Sequence, residues 1–149
     1  MFGPISEEIF GAIGRVVAIT SLVEMNAVDL ITMIDGVPQT ETAGKSISAV
    51  LDERNKAKKP ALPSDVGALL AEVTDAQQER HAIAHGMWTV SLDGSTFLWR
   101  PVVESKRLEP HNPTVGETMT IDDMRVLIGR LVDLSARLKS RQTIFGVTS

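Results

Sequence analysis

The chain has 149 residues, 43% hydrophobic and 23% charged, which is the length of one domain and an ordinary globular composition, enough to bury a core without staples. It contains no cysteine, so disulfides and thiolate metal sites are excluded. A formal net charge of -4 and a sequence pI near 5.3 argue against broad, non-specific nucleic-acid binding.

The first eight residues, Met1 to Glu8, lack the basic start of a signal peptide. Ser6 suits a helix N-cap, with Glu7 and Glu8 in the first turn. From there to Ile34 the pattern is helical and apolar nearly all round. Ile9, Ile13, Val16, Val17, Leu22, Val23, Val28, Leu30, Ile31 and Ile34 supply more than one face. Such a helix sits at the centre of a bundle or between two subunits. Gly11, Gly14 and the Thr20-Ser21 pair are its kink points if it bends. Arg15, Glu24 and Asp29 interrupt the run, so no stretch reads as clean enough to span a membrane. With the absence of cysteine, this predicts a cytoplasmic protein. Asp35-Gly36, ahead of Pro38, ends the helix.

Gln39 to Gly44 reads as a polar connection, and Lys45 to Lys56 as a short helix carrying Ile47, Val50 and Leu51. Lys58-Lys59-Pro60 stops it, and Pro63-Ser64-Asp65 opens the next helix. That helix, over 66–87, places Val66, Leu69, Leu70, Val73, Ala76, Ile83 and Met87 at a helical period, with Gly86 as its stop. The period then changes. Trp88 to Leu92 and Thr96 to Val103 alternate around Asp93-Gly94, which predicts a β-hairpin over about 88–103. Pro101 marks the second strand as an edge or as ending there. Residues 104–117, with Pro110, Asn112 and Pro113, read as a loop. Thr120 caps the last helix and Asp123 is placed as its capping-box acid. Ile121, Met124, Leu127, Ile128, Leu131, Leu134 and Leu138 form its apolar stripe, to about Gln142. The expected fold is mainly α: a four-helix bundle with a small β-hairpin inserted before the last helix, as one domain over 1–149.

Positive charge clusters at Lys56, Lys58 and Lys59, at Lys106 and Arg107, and along Arg125, Arg130, Arg137, Lys139 and Arg141. Each cluster reads first as a solvated face.

The stretch from Glu79 to Trp88 carries the chemistry, holding His81 and His85 beside Arg80. Arg80 falls on the apolar stripe of its helix, between Ala76 and Ile83. A cation on a core-facing line must be paired, or must face a partner or a ligand. His81 and His85 share a neighbouring face with Thr74 and Gln78. His85 lies in the last turn, where the helix dipole favours positive charge. Metal-free cleavage of RNA needs a base for the 2′-hydroxyl, an acid for the leaving 5′-oxygen and a fixed cation for the developing charge. Histidine suits the first two roles and the planar fork of arginine the third. Arg80 and His85 diverge by roughly 140° around a regular helix. One copy therefore closes poorly on a single phosphate, whereas two copies across a dimer axis close better.

Arg80, four intervening residues, His85 and Gly86, with Trp88 two further on, resembles the Arg-x4-His signature of HEPN domains. In that family the residue after the arginine is most often asparagine; here it is His81. The resemblance covers the helical parts of the chain and not the segment from Trp88 to Glu117. It implies a helical homodimer acting as a metal-independent endoribonuclease or RNA-binding domain, without a cofactor. The site it implies is composite, built from paired copies of Arg80 and His85 with His81, and leaves 2′,3′-cyclic phosphate ends on RNA. It also implies an antitoxin protein partner or a defence system as the setting.

Other readings use the same residues. Arg80 can be half of an internal ion pair with Glu24 or Asp29, and the histidines ordinary surface residues. His81 and His85 have helical zinc spacing, with His111 as a third ligand. The apolar first helix suits a non-catalytic helical dimerisation or interaction module. Trp88 and Trp99 read as hairpin and core residues, with base stacking the alternative.

Overall fold

The computed structural model describes residues 7–85, 87–90, 96–101 and 116–146. Among them lie, in order, α1 (Glu7–Asp35), α2 (Gln39–Thr42), α3 (Ile47–Lys56), α4 (Ser64–His85), β1 (Met87–Val90), β2 (Thr96–Pro101), β3 (Gly116–Thr120) and α5 (Ile121–Gly146). The protein is mainly helical, and α1, α3, α4 and α5 are the four helices the periodicity predicts. The single turn α2 is an addition within the connection expected over Gln39 to Gly44. It forms because Thr42 turns inward, where its hydroxyl meets that of Thr32 on α1 at 2.9 Å.

Helix α1 packs against every other helix and most extensively against α5. Val16, Val23, Ala27, Leu30 and Ile31 are fully buried along it, so its all-round apolar pattern reflects a central position. It continues through the expected kink points. The hydroxyls of Thr20 and Ser21 donate to the carbonyls of Val16 and Val17 at 2.6 and 3.0 Å, which satisfies them inside the helix. The helix ends where Gly36 takes φ +67°, a conformation that costs glycine nothing. Its N–H donates to Met33 O at 3.2 Å, and that of Val37 to Thr32 O at 3.3 Å, closing the last turn. One expectation needs correcting. By length and composition α1 is apolar enough to cross a membrane, with mean hydropathy 1.6 over its most apolar stretch. The three charges are too widely spaced to dilute it. Of that stretch, 44% is buried in the bundle.

A polar layer sits inside the α1–α5 contact. Asn26, fully buried, donates to Ser135 Oγ at 3.0 Å, and Gln142 Nε2 donates to the Asn26 carbonyl at 2.7 Å. Arg125 of α5 also pairs with Glu8 of α1. Residue numbers rise together across these links, so α1 and α5 run in the same direction. Across α4 and α5 they run in opposite directions: Arg137 grips Glu72 at 2.7 Å and Arg141 grips Asp65 at 2.6 Å. The same arginines hold both carboxyls below the usual carboxylate range, chiefly by hydrogen bonding. A lowered folded-state pKa adds stability that is complete above the unfolded value of about 4 and is lost as pH falls through the folded value. Urea midpoints should therefore be flat from pH 7 to pH 5 as far as these pairs are concerned, and fall below about pH 4. The fall should be smaller in Glu72→Gln, and modest throughout because both pairs are solvent-screened.

Helix α3 starts at Ser46, whose side chain accepts from the Ala49 N–H at 3.1 Å. Arg54 lies on its inward line with Ile47 and Val50, and is 8% exposed. It makes a two-pronged bond to Asp35 at the end of α1, with Nε to Oδ2 at 2.9 Å and Nη2 to Oδ1 at 3.0 Å. At the other end of the bundle, α5 opens with the expected capping box. The Asp123 N–H donates to Thr120 Oγ1 at 3.2 Å, and the Thr120 N–H to Asp123 Oδ2 at 2.9 Å. Met124, Leu127, Leu131, Leu134 and Leu138 are buried as the stripe requires, and the helix runs on to Gly146 rather than stopping near Gln142.

The strands depart further from expectation. β1 and β2 pair antiparallel, with Val90 opposite Thr96, as a hairpin requires. Asp93-Gly94 lies outside the described residues, as do 102–115 with His111. Met87, assigned by the pattern to the apolar stripe of the preceding helix, begins β1. Residues 116 and 117, expected in a loop, begin β3. It pairs antiparallel with β2 to give a three-stranded sheet in the order β1-β2-β3. β2 is thus the middle strand rather than an edge, and Pro101 is where it ends. Gly-Glu-Thr-Met-Thr has no clean alternation, so the pairing that makes it a strand comes from β2, not from its own residues.

Candidate functional site

Helix α4 presents its buried line, Val66, Leu69, Leu70, Val73, Ala76 and Ile83, to the core. Arg80 falls between the last two and is half-buried. No hydrogen bond or ion pair joins it to a described residue. The two acids that could have made it half of an internal pair do not do so. Glu24 accepts from Gln77 of α4, and Asp29 makes no ion pair or hydrogen bond among the described residues.

His81 and His85 are exposed on the last turn of α4. Their rings meet with centroids 4.6 Å apart and planes tilted by 51°. The spacing of four residues does this by stacking one side chain over the next turn. Among the described residues no group of three or more histidines or acids could hold a metal ion; the suggested third ligand, His111, lies outside them. Trp88 and Trp99 fall on β1 and β2, with Leu98 opposite Trp88 and Met87 opposite Trp99 in register.

The link between Gln77 and Glu24 fixes the level of the site. α4 runs opposite to α1, so counting residue for residue from that link puts Arg80 level with about Ser21 and His85 level with about Val16. Among the described residues the site is thus a helix-end surface beside the first half of α1. A groove between α4 and α5, about 450 Å³, is lined by Glu72, Asp75, Glu79 and Asp133 with Arg130 and Arg137. It contains none of Arg80, His81 or His85, and its carboxylates would repel phosphate.

The basic residues outside the motif are mostly occupied. Arg125 pairs with Glu8 and Asp122, Arg137 with Glu72 and Asp133, and Arg141 with Asp65. Lys56 pairs with Asp52 at 3.1 Å. The run of arginines along α5 therefore serves largely to tie helices together. Lys58 and Lys59 are exposed; Lys106 and Arg107 lie outside the described residues.

Sequence reasoning missed the Arg54–Asp35 pair. The signal was available, since Arg54 lies on the inward line of its helix just as Arg80 does. A cation on such a line must be paired or must face a partner or a ligand; Arg54 is paired, and Arg80 has no pair among the described residues. Searches for similarity to known proteins return no match, whether against protein-family models, curated proteins or solved structures.

Proposed function

We propose that this protein is a HEPN-like, cytoplasmic, metal-independent endoribonuclease or RNA-binding domain that acts as a homodimer through paired copies of Arg80, His81 and His85. The observation that carries the reading is the half-buried Arg80, with no carboxylate partner among the described residues, at the same end of α4 as two exposed histidines whose rings are in contact. An arginine held partly out of water without an acid is ready to take an anion. The exposed histidines can reach a substrate lying on the surface. In the reaction, the RNA 2′-oxygen attacks the adjacent phosphorus and the bond to the 5′-oxygen breaks. The 2′-proton is taken up and a proton is returned to the leaving oxygen, which leaves a 2′,3′-cyclic phosphate. His85 is the acid–base residue, His81 assists it or orients RNA, and Arg80 stabilises the charge on the phosphoryl oxygens. By the same resemblance an antitoxin protein or a defence system is the biological setting.

The test is cleavage of a labelled RNA by the purified protein in EDTA. Cleavage should persist and yield cyclic phosphate ends. His85→Ala should lower it by about 10²–10⁴-fold, the usual contribution of a general acid or base, with an unchanged helical circular dichroism spectrum. Loss of wild-type cleavage on chelation would replace this reading with a metal-dependent one.

The second reading is a non-catalytic helical dimerisation or interaction module. It is favoured by the exposed apolar side chains that α1 still carries outside the core, Phe10, Leu22, Met25 and Met33. If Arg80 and His85 tolerate alanine with no loss of function, this reading replaces the first.

A further inference from the structure

The outward face of α1 holds a symmetry that the single chain does not use. Leu22 is 42% exposed at its centre. Arg15 lies seven residues before it and Asp29 seven residues after; Gly11 lies eleven before and Met33 eleven after. Seven and eleven residues are close to two and three turns, so all five positions fall on one stripe. Met25, 53% exposed, flanks the stripe about 60° round the helix from Leu22. Arg15 and Asp29 make no ion pair or hydrogen bond among the described residues. Within one helix they are about 21 Å apart and cannot meet.

An antiparallel copy of the same helix, related by a two-fold axis at Leu22, brings each Arg15 against the partner's Asp29. It also sets each Gly11 against the partner's Met33, and Leu22 beside its own copy. A two-fold relation preserves the side of the stripe, and at about 100° per residue each of these residues lies within about 20° of the line through Leu22, an offset that the long Arg15 and Met33 side chains span. The glycine leaves room for the long methionine: a Cβ built at Gly11 or Gly14 meets nothing within 4 Å in this chain. Opposite charges placed symmetrically about an apolar centre, each without a partner among the described residues, fit a second copy of this chain.

We infer that the outward stripe of α1, from Gly11 to Met33, is a homodimer surface in which two α1 helices pack antiparallel about Leu22, closed by two reciprocal Arg15–Asp29 ion pairs. The surface does not depend on RNA cleavage. It does bear on the composite site, because Arg80 is level with about Ser21 and so both copies of Arg80 stand near the height of the axis.

Charge reversal on the full chain tests it, because neither residue has an ion-pair or hydrogen-bond partner to lose among the described residues. Arg15→Asp and Asp29→Arg should each weaken the dimer by about tenfold or more, since each places like charges together at two points. The Arg15→Asp/Asp29→Arg double variant should return the dissociation constant to within about threefold of wild type. Val132→Asp, at an exposed position on α5, should leave it unchanged. Sedimentation equilibrium reads the constants, and circular dichroism confirms folding. A dimer indifferent to the single reversals, or a double variant that stays monomeric, overturns the inference. So does a wild-type monomer at tens of micromolar that instead co-sediments with phosphatidylcholine vesicles through this face. Dimerisation that is indifferent to reversal while cleavage persists rejects this surface and leaves the ribonuclease reading standing. Restoration by the double variant in a protein that cleaves nothing does the opposite.

Discussion

Replacing Asp35 with alanine is expected to cost about 3–5 kcal/mol of folding stability, the usual result of stripping one partner from a buried ion pair. For a chain of this size that lowers the melting temperature on the order of 10 °C. The side chains of Arg54 and Asp35 are 8% and 10% exposed, so removal of the acid leaves a guanidinium with neither water nor counter-charge. The position sharpens the effect. Asp35 is the last residue of α1, where the helix dipole is unfavourable to a carboxylate. Arg54, in the last turn of α3, supplies the charge that makes the acid tolerable there, and its two prongs fix the angle at which α3 leaves α1. Replacing both residues with leucine should recover much of the loss, because the desolvation penalty disappears with the charges. Urea unfolding of the two single variants and the double variant measures the pair. Single variants within about 0.5 kcal/mol of wild type, the range of ordinary surface substitutions, would show that the pair carries no such weight.

Arg80→Leu should behave in the opposite way. Arg80 is half-buried on an apolar line and has no carboxylate partner among the described residues, so leucine strands no charge. It extends the line from Ala76 to Ile83, and stability should hold or rise. RNA cleavage should fall by about 10²–10³-fold, the loss typical of removing one group that stabilises charge in a transition state. The comparison of Asp35→Ala with Arg80→Leu separates a structural arginine pair from a functional arginine in one protein. A melting temperature for Arg80→Leu lowered as far as that of Asp35→Ala, with the specific activity of the folded fraction unchanged, would remove Arg80 from the site.

Periodicity located α1, α3, α4 and α5 to within a few residues, because each carries its own apolar line and its own end signals. The Thr120–Asp123 box, Ser64 after Pro63, and Gly36 before Pro38 are local chemistry and do not depend on the rest of the chain. The three-stranded sheet was only partly legible. The hairpin is a local pairing of strands five residues apart in the chain, whereas β3 is recruited to β2 across fourteen intervening residues, and Gly116 to Thr120 have no pattern of their own to announce it.

The site divides along the same line. The residues of Glu79 to Trp88 determined by themselves that two histidines share one face and that an arginine interrupts an apolar stripe, since a helix sets those angles without outside help. Only the tertiary structure decided which arginine on such a stripe is paired. Arg54 and Arg80 look alike in sequence, and the difference is that the end of α1 delivers Asp35 to one of them while Gln77 takes up Glu24 beside the other. Tertiary structure also decided that Arg125, Arg137 and Arg141 of α5 tie helices together, because Glu8 lies on α1 and Glu72 and Asp65 lie on α4. A charge shows its own position in the sequence, but its partner is set by which helices pack together, and that is a property of the whole core.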